Sequence, residues 1–464
     1  MNFLSSEFLI LAFTTVLLYF VVSNSYRRMV LLAASLIFYA AVKLEYLGLI
    51  IASSLIDYLV ALAMCKYTQK TGRAYLLGVS VILNLSLLIA FKYWGFFATG
   101  IESLSSTEIF IHDWVVPVGL SFYTLQTMGY TIDVYRGKFK AERNYGTFLL
   151  YTAFFPQLVA GPIERASKLM PQLKNLALPT MAEVQTGILL ILWGLFIKTV
   201  VADNLAPAVQ QAYTEDQASL LLWGFSAAAM VRVYCDFWGY TEIARGIAKC
   251  FGVQLSINFR QPFLAKNLAG FWTRWHITLT RWLMDYVQVP LMKRFRNEPS
   301  RSFVGVFTLV LIGLWHGASW NFIFFGLFQG VVLIVWRHCE NIPYLRQIIL
   351  NQWVSRTLLL ITLMLSAPMF YIDDIAQLQQ VLTSMTSFQS TNIEPLLYLN
   401  SLLIAVFGFT LVLCHDLLAE YRGFKIEDII QKPISIRLLV SGFLFFAVLG
   451  AGHPSGGEFV YFAF

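Results

Sequence analysis

Leu76-Leu-Gly-Val-Ser-Val-Ile-Leu-Asn-Leu-Ser-Leu-Leu-Ile-Ala-Phe-Lys-Tyr-Trp-Gly-Phe-Phe97 runs for 22 residues with one charge, Lys92. A helix that crosses the hydrocarbon core of a bilayer needs about 20 apolar residues, so this stretch predicts a membrane-spanning helix. Runs of the same kind lie on either side of it, at 8–22, 29–42, 46–64 and 115–135. Others follow near 183–202, 219–236, 302–320, 321–337, 355–371, 398–418 and 436–451. They leave no space for a sizeable soluble domain. The whole chain of 464 residues is 58% apolar, 16% aromatic and 13% charged, which excludes ordinary globular, disordered and fibrous classes. The expectation is an all-α polytopic membrane protein, a single domain over residues 1–464.

The net charge of +7 is a statement about topology rather than about nucleic acid. Lys and Arg collect in Arg27–Arg28, in Lys66, Lys70 and Arg73, and in Arg136, Lys138, Lys140 and Arg143, whereas Glu102, Glu108 and Asp113 and then Asp203, Glu215 and Asp216 fall between them. Because cytoplasmic loops retain basic residues, this alternation predicts basic loops inside and both termini outside. The run at 8–22 has no basic residue before it and no small-residue cleavage site after it, so it reads as a retained helix. The five cysteines form no C-x-x-C pair and predict free thiols rather than a metal or disulfide framework.

Two segments do not fit simple crossings. Residues 147–162 contain Pro156 and Gly161-Pro162, and 255–292 mixes basic residues with Trp272, Trp275 and Trp282. Irregular backbone at membrane depth persists only where protein or a water-filled cavity surrounds it, so both read as re-entrant or interfacial segments lining an internal chamber.

No G-x-S-x-G, G-x-x-x-x-G-K-[ST], H-E-x-x-H or G-x-G-x-x-G string is present, which removes support for nucleotide hydrolysis and zinc proteolysis. What remains is two histidines in apolar, aromatic strings: His276 in Phe271-Trp-Thr-Arg-Trp-His-Ile277, and His316 in Leu314-Trp-His-Gly-Ala-Ser-Trp320. An imidazole desolvated there is neutral and can accept a proton, which suits a general base; the competing reading is a hydrogen bond to a neighbouring helix. Gly313 with Gly317 and Gly326 with Gly330 form two G-x-x-x-G steps that let consecutive helices approach closely. If 272–288 is one helix, Arg274, Thr278 and Arg281 share a stripe, with Asp285 placed to pair with Arg281. With Arg260, Lys266, Lys293, Arg294 and Arg296 nearby in sequence, that stripe predicts contact with the phosphates of a large anion for Arg274 and Arg281, while Lys293–Arg296 suit lipid headgroups equally. Asp57 and Lys92, both inside spans, predict a mutual pair.

Longer strings are more specific: Pro117-Val-Gly-Leu-Ser-Phe-Tyr-Thr, Thr131-Ile-Asp-Val-Tyr-Arg-Gly, Phe155-Pro-Gln-Leu-Val-Ala-Gly-Pro-Ile, Asp236-Phe-Trp-Gly-Tyr-Thr-Glu-Ile-Ala, the two histidine strings, and the terminus Glu458-Phe-Val-Tyr-Phe-Ala-Phe464. Over nearly the whole chain they resemble the membrane-bound O-acyltransferase family. The resemblance is to its bacterial branch of alginate and peptidoglycan O-acetylation subunits and the teichoic-acid D-alanylation protein. It implies about 11 transmembrane helices with re-entrant or interfacial helices, in a ring around a central funnel in the bacterial inner membrane. It places the family's invariant histidine at His316 and the second catalytic histidine at His276. It also implies transfer of an acetyl group from cytoplasmic acetyl-CoA to an extracytoplasmic polysaccharide, through a periplasmic SGNH-hydrolase-like partner, with no metal, no tightly bound cofactor and no nucleic acid. On that reading Arg274 and Arg281 hold the CoA phosphates, and Trp315, Ser319, Asn321 and Asp285 support the site. Met292-Lys-Arg-Phe-Arg-Asn297 departs from the Gly-Gly-Asn-Arg stretch common in relatives, so the donor or partner surface differs there. Two rivals remain: D-alanyl, lipid or protein acyl transfer on the same scaffold, and a transporter or flippase with intramembrane His and Asp as proton relays, against which the chain shows no internal repeat.

Overall fold

The computed structural model describes residues 3–41, 43–105, 114–159, 161–213, 219–387 and 399–453. Glu108, Asp113, Glu215, Asp216 and the aromatic terminus lie outside the described residues. Among those described, all regular structure is helical, and a helix satisfies its backbone hydrogen bonds internally, as a bilayer requires of a crossing segment. Eight described helices are long and apolar enough to cross a membrane: Leu44–Lys66, Lys70–Ser105, Met181–Gln211, Ser219–Lys249, Trp320–Asn341, Gln352–Phe370, Leu399–Arg422 and Ile434–Ala451. The helix Ser6–Val21 is apolar but has only 16 residues, shorter than a crossing requires. As expected, 147–162 is not a crossing. It forms two short buried helices, Tyr145–Ala153 and Phe155–Leu158.

The chain divides into two compact units, Met1–Ile191 with Thr241–Ser256, and Leu192–Tyr240 with Ile257–Phe464. Within the first, the buried carboxylate of Asp57 accepts from Ser80 Oγ at 2.6 Å and from Asn84 Nδ2 at 3.0 and 2.9 Å. Neutral donors from the following helix, not the Lys92 ammonium, therefore hold Asp57, which corrects the expected pair. A carboxylate satisfied by hydroxyl and amide donors removes the cost of orphaned lone pairs without importing a second charge.

In the second unit, a π-helical turn over Phe196–Ala202 displaces the helix register and brings buried Lys198 against two carboxylates, Asp203 and, at 2.6 Å, Asp236. Removing one partner would strand a charge in the interior. Glu298–His316 and Trp320–Asn341 form a tight antiparallel hairpin. A Cβ at Gly313 would lie 2.0 Å from the Phe322 carbonyl, and one at Gly326 would lie 2.5 Å from the Leu309 carbonyl. The expected glycine steps are thus the contact itself, because the backbones occupy the space where side chains would stand.

Candidate active site

The single helix over 272–288 on which the arginine stripe depended is not formed, which is the main correction to the sequence reading. Short helices at Leu268–Trp272 and Ile277–Leu283 are separated by residues 273–276, and a π-helical turn, Met284–Gln288, follows. The stripe of Arg274, Thr278 and Arg281 therefore does not exist. Arg274 lies in the break, where its two terminal nitrogens donate to the Glu420 carboxylate at 2.8 and 3.1 Å. Thr278 faces Asn258, its Oγ1 donating to Asn258 Oδ1 at 2.7 Å. Arg281 and Asp285 are exposed. A phosphate contact for Arg274 loses its geometric basis, since its guanidinium is already spent on a carboxylate.

His276 turns the chain at the break. Its backbone is left-handed, φ 39° and ψ 54°, one of only two non-glycine residues with positive φ among those described. Such a conformation costs an L-residue on the order of 1–2 kcal/mol and persists only where surrounding contacts impose it. The imidazole is buried, edge-on to Phe237 at 4.7 Å between centroids. Burial pushes its pKa down to about 3, so it is neutral at physiological pH.

His316 ends the Glu298–His316 helix, and its ring is buried edge-on to Phe370 at 5.2 Å and stacked near Phe322. The structure brings the two histidines to one indole. Trp315 meets His276 at 5.1 Å and His316 at 5.3 Å, edge to face in both cases. Ser319 occupies the N-cap position of the next helix but makes no capping bond, its hydroxyl being buried and without a hydrogen-bond partner among the described residues. Asn321 donates from Nδ2 to the Ile372 carbonyl, leaving Oδ1 open. Both follow His316 within five residues of sequence and keep unused hydrogen-bonding capacity.

A groove of about 220 Å3 runs along the hairpin. Thr280 and Ile312 line its inner end, each one helical turn from a histidine; Ser302 and the exposed Arg337 lie at the other. Ten residues of helix separate Ile312 from Ser302, so at about 1.5 Å each the groove is roughly 15 Å long. Trp272 is the common wall between this groove and a smaller apolar cavity bounded by Trp275, Phe325 and Phe370. Its indole N–H is buried without a partner among the described residues. Sequence reasoning missed Glu420, Asn258 and the groove; an isolated Asn between Ile257 and Phe259 was the one local signal.

Comparison with known proteins places this architecture. Residues 143–365, which contain both histidines, match the family described as MBOAT, membrane-bound O-acyltransferase family. The chain is 33% identical over 456 residues to a probable alginate O-acetylase of Azotobacter vinelandii, covering 93% of this chain and 87% of that protein. It is 33% identical over 344 residues to a peptidoglycan O-acetyltransferase of Helicobacter pylori, covering 67% and 64%. A teichoic acid D-alanyltransferase of Bacillus subtilis is 27% identical over 325 residues, covering 66% and 79%.

Proposed function

This chain belongs to the membrane-bound O-acyltransferase family and is an O-acyltransferase of the membrane; from that premise we propose that it moves an acetyl group from cytoplasmic acetyl-CoA toward the hydroxyls of an extracytoplasmic polysaccharide. The relatives named for alginate and peptidoglycan supply the acceptor class. One observation carries the site: Trp315 holds two buried imidazoles, His276 and His316, within contact of one indole; the groove stops short of them, at Thr280 and Ile312, each four residues from a histidine.

In this mechanism the acceptor hydroxyl gives its proton to the His316 imidazole while its oxygen attacks the thioester carbonyl. The C–S bond breaks, CoA leaves as thiolate and takes up the proton, and an ester remains. A thiolate is a good leaving group, so the site has to supply deprotonation, proximity and a water-poor cavity rather than a covalent nucleophile. His276 completes the site as the second imidazole against Trp315. The pantetheine arm lies along the groove, with Arg337 toward the phosphates and the Trp272 N–H offered to a carbonyl at the inner end. Either direct transfer or relay to a periplasmic SGNH-hydrolase-like partner uses the same donor half-reaction.

The test is to supply radiolabelled acetyl-CoA to inverted membrane vesicles and measure base-labile label on the polysaccharide fraction. The wild type should transfer label and His316→Ala should not, although it inserts normally. Label that appears only with a D-alanyl donor would reassign the acyl group, and full transfer by His316→Ala would remove the mechanism.

A further inference from the structure

We propose that Asn258 is a positioning residue that aims His276, an inference that rests on the reading of His276 as part of the reaction centre. The short helix Ile277–Leu283 begins immediately after His276, and helix starts leave backbone N–H groups without partners. A local Ser, Thr, Asp or Asn usually fills that need, but here the N-cap is His276 itself, and its side chain makes no capping bond. Asn258, 18 residues earlier and fully buried, does the work instead. Its carbonyl accepts from Ile277 N at 2.9 Å. Its Oδ1 accepts from Thr278 N at 3.3 Å and from Thr278 Oγ1 at 2.7 Å. On the other side of the histidine, Arg260 N donates to the Arg274 carbonyl at 3.0 Å.

The residues flanking His276 are therefore tied to one non-helical segment, 258–260, and His276 is the link between two fixed points. That explains how an aromatic residue is kept at φ 39°: the conformation is imposed from outside rather than chosen locally. A left-handed residue directs its Cβ differently from a helical or extended one, so the clamp determines that the imidazole meets Trp315 and Phe237. Asn258 Nδ2 is buried without a partner among the described residues, so the role of the side chain lies on its accepting oxygen.

The experiment measures initial rates of CoA release from acetyl-CoA in membrane vesicles supplied with alginate or peptidoglycan fragments. Asn258→Ala and Thr278→Val should each lower kcat at least tenfold with KM for acetyl-CoA within twofold. Thr278→Ser, which keeps the hydroxyl, should retain at least half of wild-type kcat. Thr278→Val removes only one donor and carries the test if Asn258→Ala fails to fold. In a His276→Gly background, where glycine adopts the left-handed backbone freely and no imidazole remains to be aimed, Asn258→Ala should cause no further loss of the residual rate. Wild-type kcat in both Asn258→Ala and Thr278→Val, or an undiminished loss in the His276→Gly background, overturns the clamp while leaving the proposed function standing. Wild-type turnover in His276→Gly itself overturns the assignment of His276 and the clamp together.

Discussion

Arg274 and Glu420 form a two-pronged ion pair, 2.8 and 3.1 Å, that joins the break before His276 to the far end of the Leu399–Arg422 helix. Each side chain is about a quarter exposed, so water screens the pair and its worth is about 1 kcal/mol or less. Arg274→Ala and Glu420→Ala should lower the melting temperature by similar amounts, and the double variant should lose little more than either alone. Affinity for acetyl-CoA should stay within twofold in all three. A tenfold loss of binding in Arg274→Ala but not in Glu420→Ala, read by titration calorimetry, would return the arginine to the donor site.

Loss of the His316 imidazole removes the proton acceptor without opening the helix that bears it. His316→Ala should lower kcat by roughly 100- to 10,000-fold, the range of general-base contributions, with KM for acetyl-CoA nearly unchanged. Steady-state kinetics in vesicles decides this; a rise in KM at constant kcat would make the residue a binding group.

His276 links stability to pH. Its ring is neutral in the fold down to about pH 3, whereas the unfolded chain takes up a proton near 6.5. Between those values the unfolded state binds more protons, so stability falls as pH is lowered. From pH 6.5 to 5 the loss should be about 2 kcal/mol, at 1.36 kcal/mol per unit, and His276→Gln should show that much less acid sensitivity. Parallel acid profiles for the two proteins in thermal unfolding would contradict it.

The groove and the hairpin can be separated by two glycines. A Cβ at Gly305, on the groove wall, meets open space, whereas one at Gly326 meets the Leu309 carbonyl at 2.5 Å. Gly305→Leu should fill the groove and raise KM for acetyl-CoA by about tenfold, roughly 1.4 kcal/mol, without affecting melting. Gly326→Ala should destabilise by about 1–3 kcal/mol, because backbone cannot yield as a flexible side chain would. An unchanged KM in Gly305→Leu would put the donor elsewhere.

Cys65 is exposed beside Lys66 and offers a native probe of sidedness. In a Cys414→Ser background, an impermeant maleimide should label it in inverted vesicles and not in intact cells, as the distribution of basic residues predicts. Labelling from outside would reverse the donor side.

Composition and the length of the apolar runs were enough to read a helical membrane protein, because the bilayer imposes a minimum length and an internally satisfied backbone on every crossing. The Gly313/Gly317 and Gly326/Gly330 steps foretold the hairpin for the same reason: spacing along a helix is local geometry. His276 and His316 stood out as expensive imidazoles in aromatic strings. Their meeting across Trp315 was not legible, since it depends on two segments 40 residues apart being folded together. The Arg274 stripe failed because helical spacing presumes an unbroken helix, and Asn258 draws the backbone out of helix at the residue before Ile277. Glu420 lies 146 residues from Arg274, and nothing in either neighbourhood announces the other. Sequence determined which residues could not face lipid without a partner; only the tertiary structure decided the partners, because a charge or an orphaned amide is satisfied by whatever the fold places within 3 Å of it.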